Sequence, residues 1–254
     1  MELQILGSVA PFCRLDKNCP GFLVTDGLNK ILLDCGPGVP RLIDMETMLE
    51  NLNIIITHLH KDHYGGLLEL GYASHVYHNL GYLKQKINIY IPKEYKISAD
   101  LYDYNYLINF GEEQYFDLKI YNEYNCNRNL KIGDINISFK KTKHNITSYA
   151  IKLEYNGYKL CYSGDTGYDE SLCEIFSNAD LLICESTFLR GQHQKGNNHL
   201  YAYEAAKLAK LSNVKQLMLT HFWPTIDKKL YRKEAREIFK NTIVAEEGKK
   251  LILK

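Results

Sequence analysis

Apolar residues in this chain come in short unbroken runs rather than long one-sided stretches. Early in the chain LQILG, GFLVTDG, KILLDCG and NIIITH follow one another, each of strand length and each bounded by Gly, Asp or Asn. The Asp26-Gly27 pair between two of them predicts a hairpin. After Gly38 the spacing of Val39, Leu42 and Ile43 predicts a helix, and the stretch after Gly66 predicts another. The second half repeats this grammar. INISFKKT, SYAIKLEY and YKLCYSGD read as three strands, with Asn156-Gly157 as the turn between the last two. ADLLICE and KQLMLTH are further strands around a helix near 200–211, and a last helix near 229–240 precedes the closing run KLILK. Between Lys84 and Asn129 the chain is rich in Tyr and Asn, with one strand-like run, INIYIP, and a candidate helix near 100–110. That segment reads as an insertion over one face, shaping either a pocket or a dimer interface. With no linker between the halves, the expectation is one domain over 1–254, two packed sheets with helices outside.

Bulk composition narrows this little. A chain of 254 residues that is 45% hydrophobic and 24% charged is ordinary globular protein. The formal net charge of +1 makes no demand for nucleic acid or an acidic membrane, although a local basic patch stays compatible with it. Lys228-Lys229 and Lys249-Lys250 read as ordinary solvated charge. No apolar run approaches a membrane span, and the start of the chain lacks the marks of a signal peptide. Seven scattered cysteines suit reduced thiols, so the expected location is cytoplasmic. A homodimer is compatible with all of this.

Chemistry concentrates in IIITHLHKDHYGGL. An apolar strand ends at Thr57, and His58, His60, Asp62 and His63 follow within a short loop. Imidazole nitrogen and carboxylate oxygen suit zinc, manganese or iron, and alternation at a strand end directs His58 and His60 to one ion while Asp62 and His63 turn toward a second. Three of the nine histidines fall in these six positions, far denser than chance would place them. Further ligands stand after later strands: His144 as a third imidazole, Asp165 as a bridging carboxylate, and His221 as a terminal ligand. His75 and His78 on a helix read as surface residues, and His193 lies in a polar loop that could border the site.

THLHKDH at Thr57 to His63, the later His144, SGDTG at Ser163 to Gly167 and THF at Thr220 to Phe222 together resemble the metallo-β-lactamase superfamily. The resemblance runs from LLDCGPG at Leu32 to Gly38 through LTHFWP at Leu219 to Pro224. It implies an α/β (in some schemes α+β) αββα sandwich of two mixed sheets flanked by helices, with two divalent ions, zinc foremost, at one edge. Position by position, it implies one ion on His58, His60, His144 and Asp165, and another on Asp62, His63, Asp165 and His221. Asp34 would support the metal loop from behind; otherwise it is a turn-forming residue.

The segment from His199 through LTHFWP is similar to the ribonuclease Z and phosphodiesterase branch. That similarity implies His199 as the general acid, with Asp62 beside it as a catalytic residue. Glu204, one helical turn on, would orient His199 or else face solvent. In ribonuclease Z a long arm that grips transfer RNA lies between the positions of His144 and Asp165, yet here these are only about 20 residues apart, enough for a plain hairpin. The expected activity is therefore hydrolysis of a phosphodiester or other small ester by a metal-bound hydroxide. Transfer RNA 3′ processing, thioester or lactone hydrolysis, and a non-catalytic metal-binding role are the alternatives. Nucleic acid is admitted as a partner but not indicated by charge.

Overall fold

The computed structural model describes residues 1–45, 49–84, 87–93, 116–121, 130–192, 196 and 198–253. Its first strands are β1 (Glu2–Gly7), β2 (Gly21–Thr25), β3 (Lys30–Leu33), β4 (Leu52–Ile55), β5 (Ile87–Pro92) and β6 (Phe116–Tyr121). The later ones are β7 (Leu130–Ile132), β8 (Ile135–Lys141), β9 (Tyr149–Tyr155), β10 (Tyr158–Tyr162), β11 (Leu181–Glu185), β12 (Gln216–Thr220), β13 (Thr242–Val244) and β14 (Lys250–Ile252). Helices α1 (Lys61–Tyr64), α2 (Leu67–Asn79), α3 (Cys173–Phe176), α4 (Ala202–Leu211) and α5 (Lys228–Arg236), with 3-10 turns at Pro40–Leu42 and Glu170–Leu172, complete the described elements.

Two seven-stranded mixed sheets result, in the orders β14-β1-β2-β3-β4-β5-β6 and β13-β12-β11-β10-β9-β8-β7. The unbroken apolar runs have a direct cause. Successive strand residues point to opposite faces, and in the first sheet both faces are covered. Phe22, Val24, Ile31, Leu33 and Ile55 enter the core shared with the second sheet. Their neighbours Leu23, Leu32, Ile54 and Ile56 pack instead with Leu67 and Leu70 of α2. Ala205, Ala206 and Ala209 of α4 join the larger core from the outer side of the second sheet. This is the metallo-β-lactamase sandwich that the motifs implied.

Several boundaries differ from the sequence expectation. The helix expected after Gly38 is a single 3-10 turn, Pro40–Leu42, because Ile43 returns to extended backbone and buries with Val39. The last helix ends at Arg236, whose Nε donates to the Thr242 carbonyl and fixes the exit into β13. The closing run joins the first sheet, pairing Glu2 with Ile252. The helix expected near 100–110 lies outside the described residues. No described helix is long and apolar enough to cross a membrane. The six described cysteines are free thiols.

β3 through β6 run parallel, as do β10 through β13. Parallel strands bring their carboxyl ends to one edge, where open α/β sheets place their ligands. Asp34, His58, Asp165, Glu185 and His221 all stand at or just past such ends.

Candidate metal centre

The backbone turns abruptly at this edge. Asp34 (φ 57°), Gly164 (φ 55°) and His221 (φ 61°) all take left-handed conformations, which cost a residue with a side chain unless its surroundings hold it there. Gly164 has a second requirement: a Cβ there would stand 2.9 Å from the Tyr149 carbonyl oxygen and 3.0 Å from Thr57 Cβ. At Gly36 a Cβ would collide with the Asp62 carbonyl, so the metal loop rests directly on glycine backbone.

All seven residues expected as ligands meet here. His58, His60, His144 and Asp165 form one group, and Asp62, His63 and His221 another, each with its potential ligand atoms within 4.8 Å of one another. Asp165 links them, with Oδ2 3.5 Å from His58 Nε2, and Oδ1 3.3 Å from His63 Nε2 and 3.2 Å from His221 Nε2. Ring nitrogens also face one another: His60 Nδ1 lies 3.1 Å from both His58 Nε2 and His144 Nε2, and His63 Nε2 lies 3.2 Å from His221 Nε2.

Hydrogen bonds behind the rings set which nitrogen faces inward. Thr57 Oγ1 donates to Asp34 Oδ2 at 3.0 Å, so it accepts from His58 Nδ1, also at 3.0 Å. His63 Nδ1 donates to Asp34 Oδ2 at 2.7 Å, and His144 Nδ1 donates to the Asn198 carbonyl at 3.0 Å. Thr187 Oγ1 donates to Glu185 Oε2 and accepts from His221 Nδ1, both at 2.8 Å. Each of these four rings thereby turns Nε2 toward the centre, as ligation requires.

The donor set fits divalent cations. Among the described residues Asp165 Oδ1 is a fully buried carboxylate oxygen without a hydrogen-bond partner, an arrangement a protein does not keep without another use for it. Burial, together with the neighbouring His63, holds His58 well below its usual range, and burial with His144 brings His60 down to about 4. Burial alone would lower His63 too, but the carboxylates of Asp165, Asp34 and Asp62 raise it well above its usual range. Neutral imidazoles on one side and carboxylates that draw in positive charge on the other suit two cations held on nitrogen and oxygen.

His199 stands at the rim, immediately before α4. Its side chain keeps 26% exposure, against 0–4% for His58, His63, His144 and His221. Its Nδ1 lies 3.0 Å from Glu185 Oε1 and 3.7 Å from Asp165 Oδ2, and its ring stacks on His221 with centroids 5.4 Å apart. Burial would lower its pKa, but the Glu185 carboxylate and its hydrogen bond raise it to about 9.

Glu204 does not touch His199. It closes the amino end of α4 instead, accepting from the Tyr201 backbone N–H at 3.0 Å. The orienting carboxylate is Glu185, which sequence reasoning passed over although it ends a strand whose five residues are all buried. Glu185 also accepts from the backbone N–H of Thr166 and of Leu200, tying the Asp165 loop to the His199 segment. His75 and His78 lie on α2, bonded to Asn79 and the Leu83 carbonyl, and join no potential metal group among the described residues. His193 lies outside the described residues.

Known proteins agree with this architecture. The chain is 26% identical over 250 residues to the probable metallo-hydrolase YhfI of Bacillus subtilis, covering 98% of each. The YhfI crystal structure superposes with a TM-score of 0.85 over 98% of both chains. Ribonuclease Z of Archaeoglobus fulgidus is 27% identical over 303 residues, covering 97% of this chain and 95% of its own. The short form of human tRNase Z, at 22% identity and a TM-score of 0.74 over 100% of both chains, shares the fold. Residues 156–157 make only a tight turn between β9 and β10, so this is a short ribonuclease Z-like chain without the arm. A family model described as anti-Pycsar protein Apyc1 matches residues 1–244, and this metallo-β-lactamase-fold chain belongs to the Apyc1 family.

Proposed function

We propose that the protein is a dinuclear metal-dependent phosphodiesterase. His58, His60, His144 and Asp165 hold one ion, and Asp62, His63, Asp165 and His221 hold the other. Zinc suits this nitrogen and oxygen set best, and manganese or iron would also be accepted. When bound, two such ions supply Lewis-acid stabilisation of developing charge and a water acidic enough to attack near neutral pH.

The chain's own residues do the rest. The observation that carries the reading is His199, a partly exposed imidazole at the rim fixed at Nδ1 by Glu185. A ring held this way keeps its Nδ1 proton on the carboxylate and offers the Nε2 proton to a leaving alkoxide. Thioester hydrolysis has less need of such an acid, because the thiolate departs readily. Asp62 would receive the proton of the attacking water, its Oδ2 lying 3.4 Å from His221 Nε2 and 3.6 Å from His63 Nε2. The names of the ribonuclease Z relatives agree with phosphodiester chemistry, while the missing arm argues against transfer RNA as substrate.

The test is hydrolysis of bis(p-nitrophenyl) phosphate by protein loaded separately with zinc and manganese. Turnover should vanish, together with metal occupancy, in Asp165→Ala. His199→Ala should keep both metals and lose about 10²–10⁴-fold in rate, most steeply for poor leaving groups. Activity confined to thioesters or lactones would overturn the reading.

A further inference from the structure

We infer that Tyr231 of α5 is a positioning residue for the second ion: its phenol ties the turn after His221 to the strand end that orients His221, and Lys228 braces the same turn. The inference rests on the two-ion assignment of the proposed function and is independent of which bond is cleaved.

His221 is the ligand most in need of support. Asp62 and His63 share their loop with His58 and His60, and Asp165 serves both ions, so His221 alone ties the second ion to a separate part of the chain. Its backbone is left-handed, at φ 61°, which a residue with a side chain keeps only where its surroundings impose it. The next residue is clamped at once. Phe222 N–H donates to the Ser8 carbonyl, and the Phe222 carbonyl accepts from Ala10 N–H, both at 3.0 Å. These bonds seat the turn on the loop that follows β1. Registering it against the strand end that holds the imidazole falls to α5.

α5 places Lys228, Tyr231 and Ala235 on one face, at i, i+3 and i+7, with Tyr231 and Ala235 buried. The Tyr231 ring packs on Phe222 with centroids 5.0 Å apart. Its oxygen accepts from Trp223 N–H at 3.3 Å and donates to the Thr187 carbonyl at 3.2 Å. Thr187 is the residue whose hydroxyl accepts from His221 Nδ1 at 2.8 Å. One phenol oxygen thus joins the chain two residues beyond the ligand to the residue that aims the ligand. Phenylalanine would fill the same space and make neither bond. Lys228 is not the solvated charge its sequence context suggested. It is half-buried, donates to Ser8 Oγ at 2.8 Å and to the Ala245 carbonyl at 3.0 Å, and lies 5.4 Å from the centre of the Phe222 ring. Ser8 Oγ in turn donates to Glu247 Oε1 at 3.0 Å. An ammonium leaves water only where oxygens and a countercharge replace it, so these partners hold Lys228 in place. It ties α5 to the same Ser8 whose carbonyl holds Phe222, and to the residue that follows β13.

Titrating metal-free protein with zinc against a competing chelator reads the two binding steps without any substrate. In Tyr231→Phe the second ion should bind about 10–100-fold more weakly, while the first keeps its affinity. His221→Ala identifies the step that belongs to His221, and in that background Tyr231→Phe should add nothing. Lys228→Met should weaken the same step. Arg236→Gln removes the tether to the Thr242 carbonyl at the other end of α5, so it should lower the melting temperature and spare both steps. Four results would each overturn the inference: unchanged zinc binding in Tyr231→Phe, equal weakening of both steps, a further loss in the His221→Ala background, or the same weakening in Arg236→Gln. Turnover of bis(p-nitrophenyl) phosphate in the same samples keeps the two readings apart. Selective loss of the second step, with no turnover in the parent protein, refutes the phosphodiesterase and spares the brace. Turnover in the parent, with both zinc steps unaltered in Tyr231→Phe, does the reverse. A parent protein that binds only one ion refutes both.

Discussion

Replacing Asp34 by asparagine changes one atom of the side chain and should disable the centre from behind. The carboxylate is fully buried and accepts four hydrogen bonds. Thr57 N–H reaches Oδ1 at 2.7 Å, while Thr57 Oγ1, His63 Nδ1 and Tyr162 OH reach Oδ2 at 3.0, 2.7 and 2.8 Å. Asparagine offers one acceptor oxygen in place of two. If its NH₂ group faces the three donors, the two hydroxyls can rotate away, but His63 must move its proton to Nε2, the nitrogen meant for metal. If it faces Thr57 instead, a backbone N–H that cannot rotate loses its acceptor.

Either orientation costs one charge-assisted hydrogen bond, about 1.5–3 kcal/mol, and orphans a buried donor at about 1–3 kcal/mol more. The sum, about 2.5–6 kcal/mol, is a large share of a typical stability of about 5–15 kcal/mol, so the variant should fold but melt early. At about 2–4 °C per kcal/mol for a chain of this size, the expected fall is about 5–24 °C. Zinc affinity should drop about 10–100-fold because His58 and His63 lose their orientation together. Thermal melts of metal-free protein and chelator-competition titrations measure the two effects separately. A melting shift under about 2 °C with native zinc affinity would refute the reasoning, whereas the first alone would mean that bound water replaces the lost acceptor.

Other predictions are sharp enough to fail. Tyr162→Phe removes one of the three donors to Asp34 Oδ2 and should cost about 1.5–3 kcal/mol in urea unfolding without changing metal stoichiometry; loss of a metal would contradict the assigned hydrogen bonds. Glu185→Gln should lower kcat about 10–100-fold, and in the double variant with His199→Ala it should add clearly less, the remainder reaching His221 through Thr187. Additive losses would show that Glu185 acts apart from His199. Gly164→Ala combines a left-handed alanine, about 1–2 kcal/mol, with crowding against Tyr149 and Thr57, about 1–3 kcal/mol, and a near-native melt would disprove both. Chelation should lower the melting temperature, and added zinc should restore it. With metal at about 100–1,000 times its Kd the linkage is worth about 2.7–4.1 kcal/mol, and a melt unmoved by chelator would argue that the cluster binds no ion.

Much of this centre was legible in the sequence because strand ends are marked there twice, by the close of an apolar run and by the residue that follows. His58, Asp165 and His221 each follow such a run, and the structure gathers all three. Element ends were less legible, because tertiary contacts decide them. Ile43 leaves its helical turn to bury with Val39, and β14 pairs with β1 at the far end of the chain, which no local pattern reveals. Glu204 misled because a glutamate one turn into a helix has a local occupation, the Tyr201 N–H, that sequence distance does not separate from a catalytic one.

Glu185 shows what the missed signal was. A carboxylate at the end of a strand whose five residues are all buried must be paid for by partners, and here they are Thr166, Thr187, His199 and Leu200. Asp34 answers the same demand in the other sheet with Thr57, His63 and Tyr162. Each sheet thus carries one buried carboxylate behind the edge. Asp34 orients His63 directly and His58 through Thr57, one ring from each metal group. Glu185 orients His199 directly and His221 through Thr187, joining the rim acid to the second group. The arrangement makes a separable expectation. Damage at Asp34 should appear first in metal affinity, because both of its rings are ligands. Damage at Glu185 should appear in turnover as well, because one of its rings is the acid.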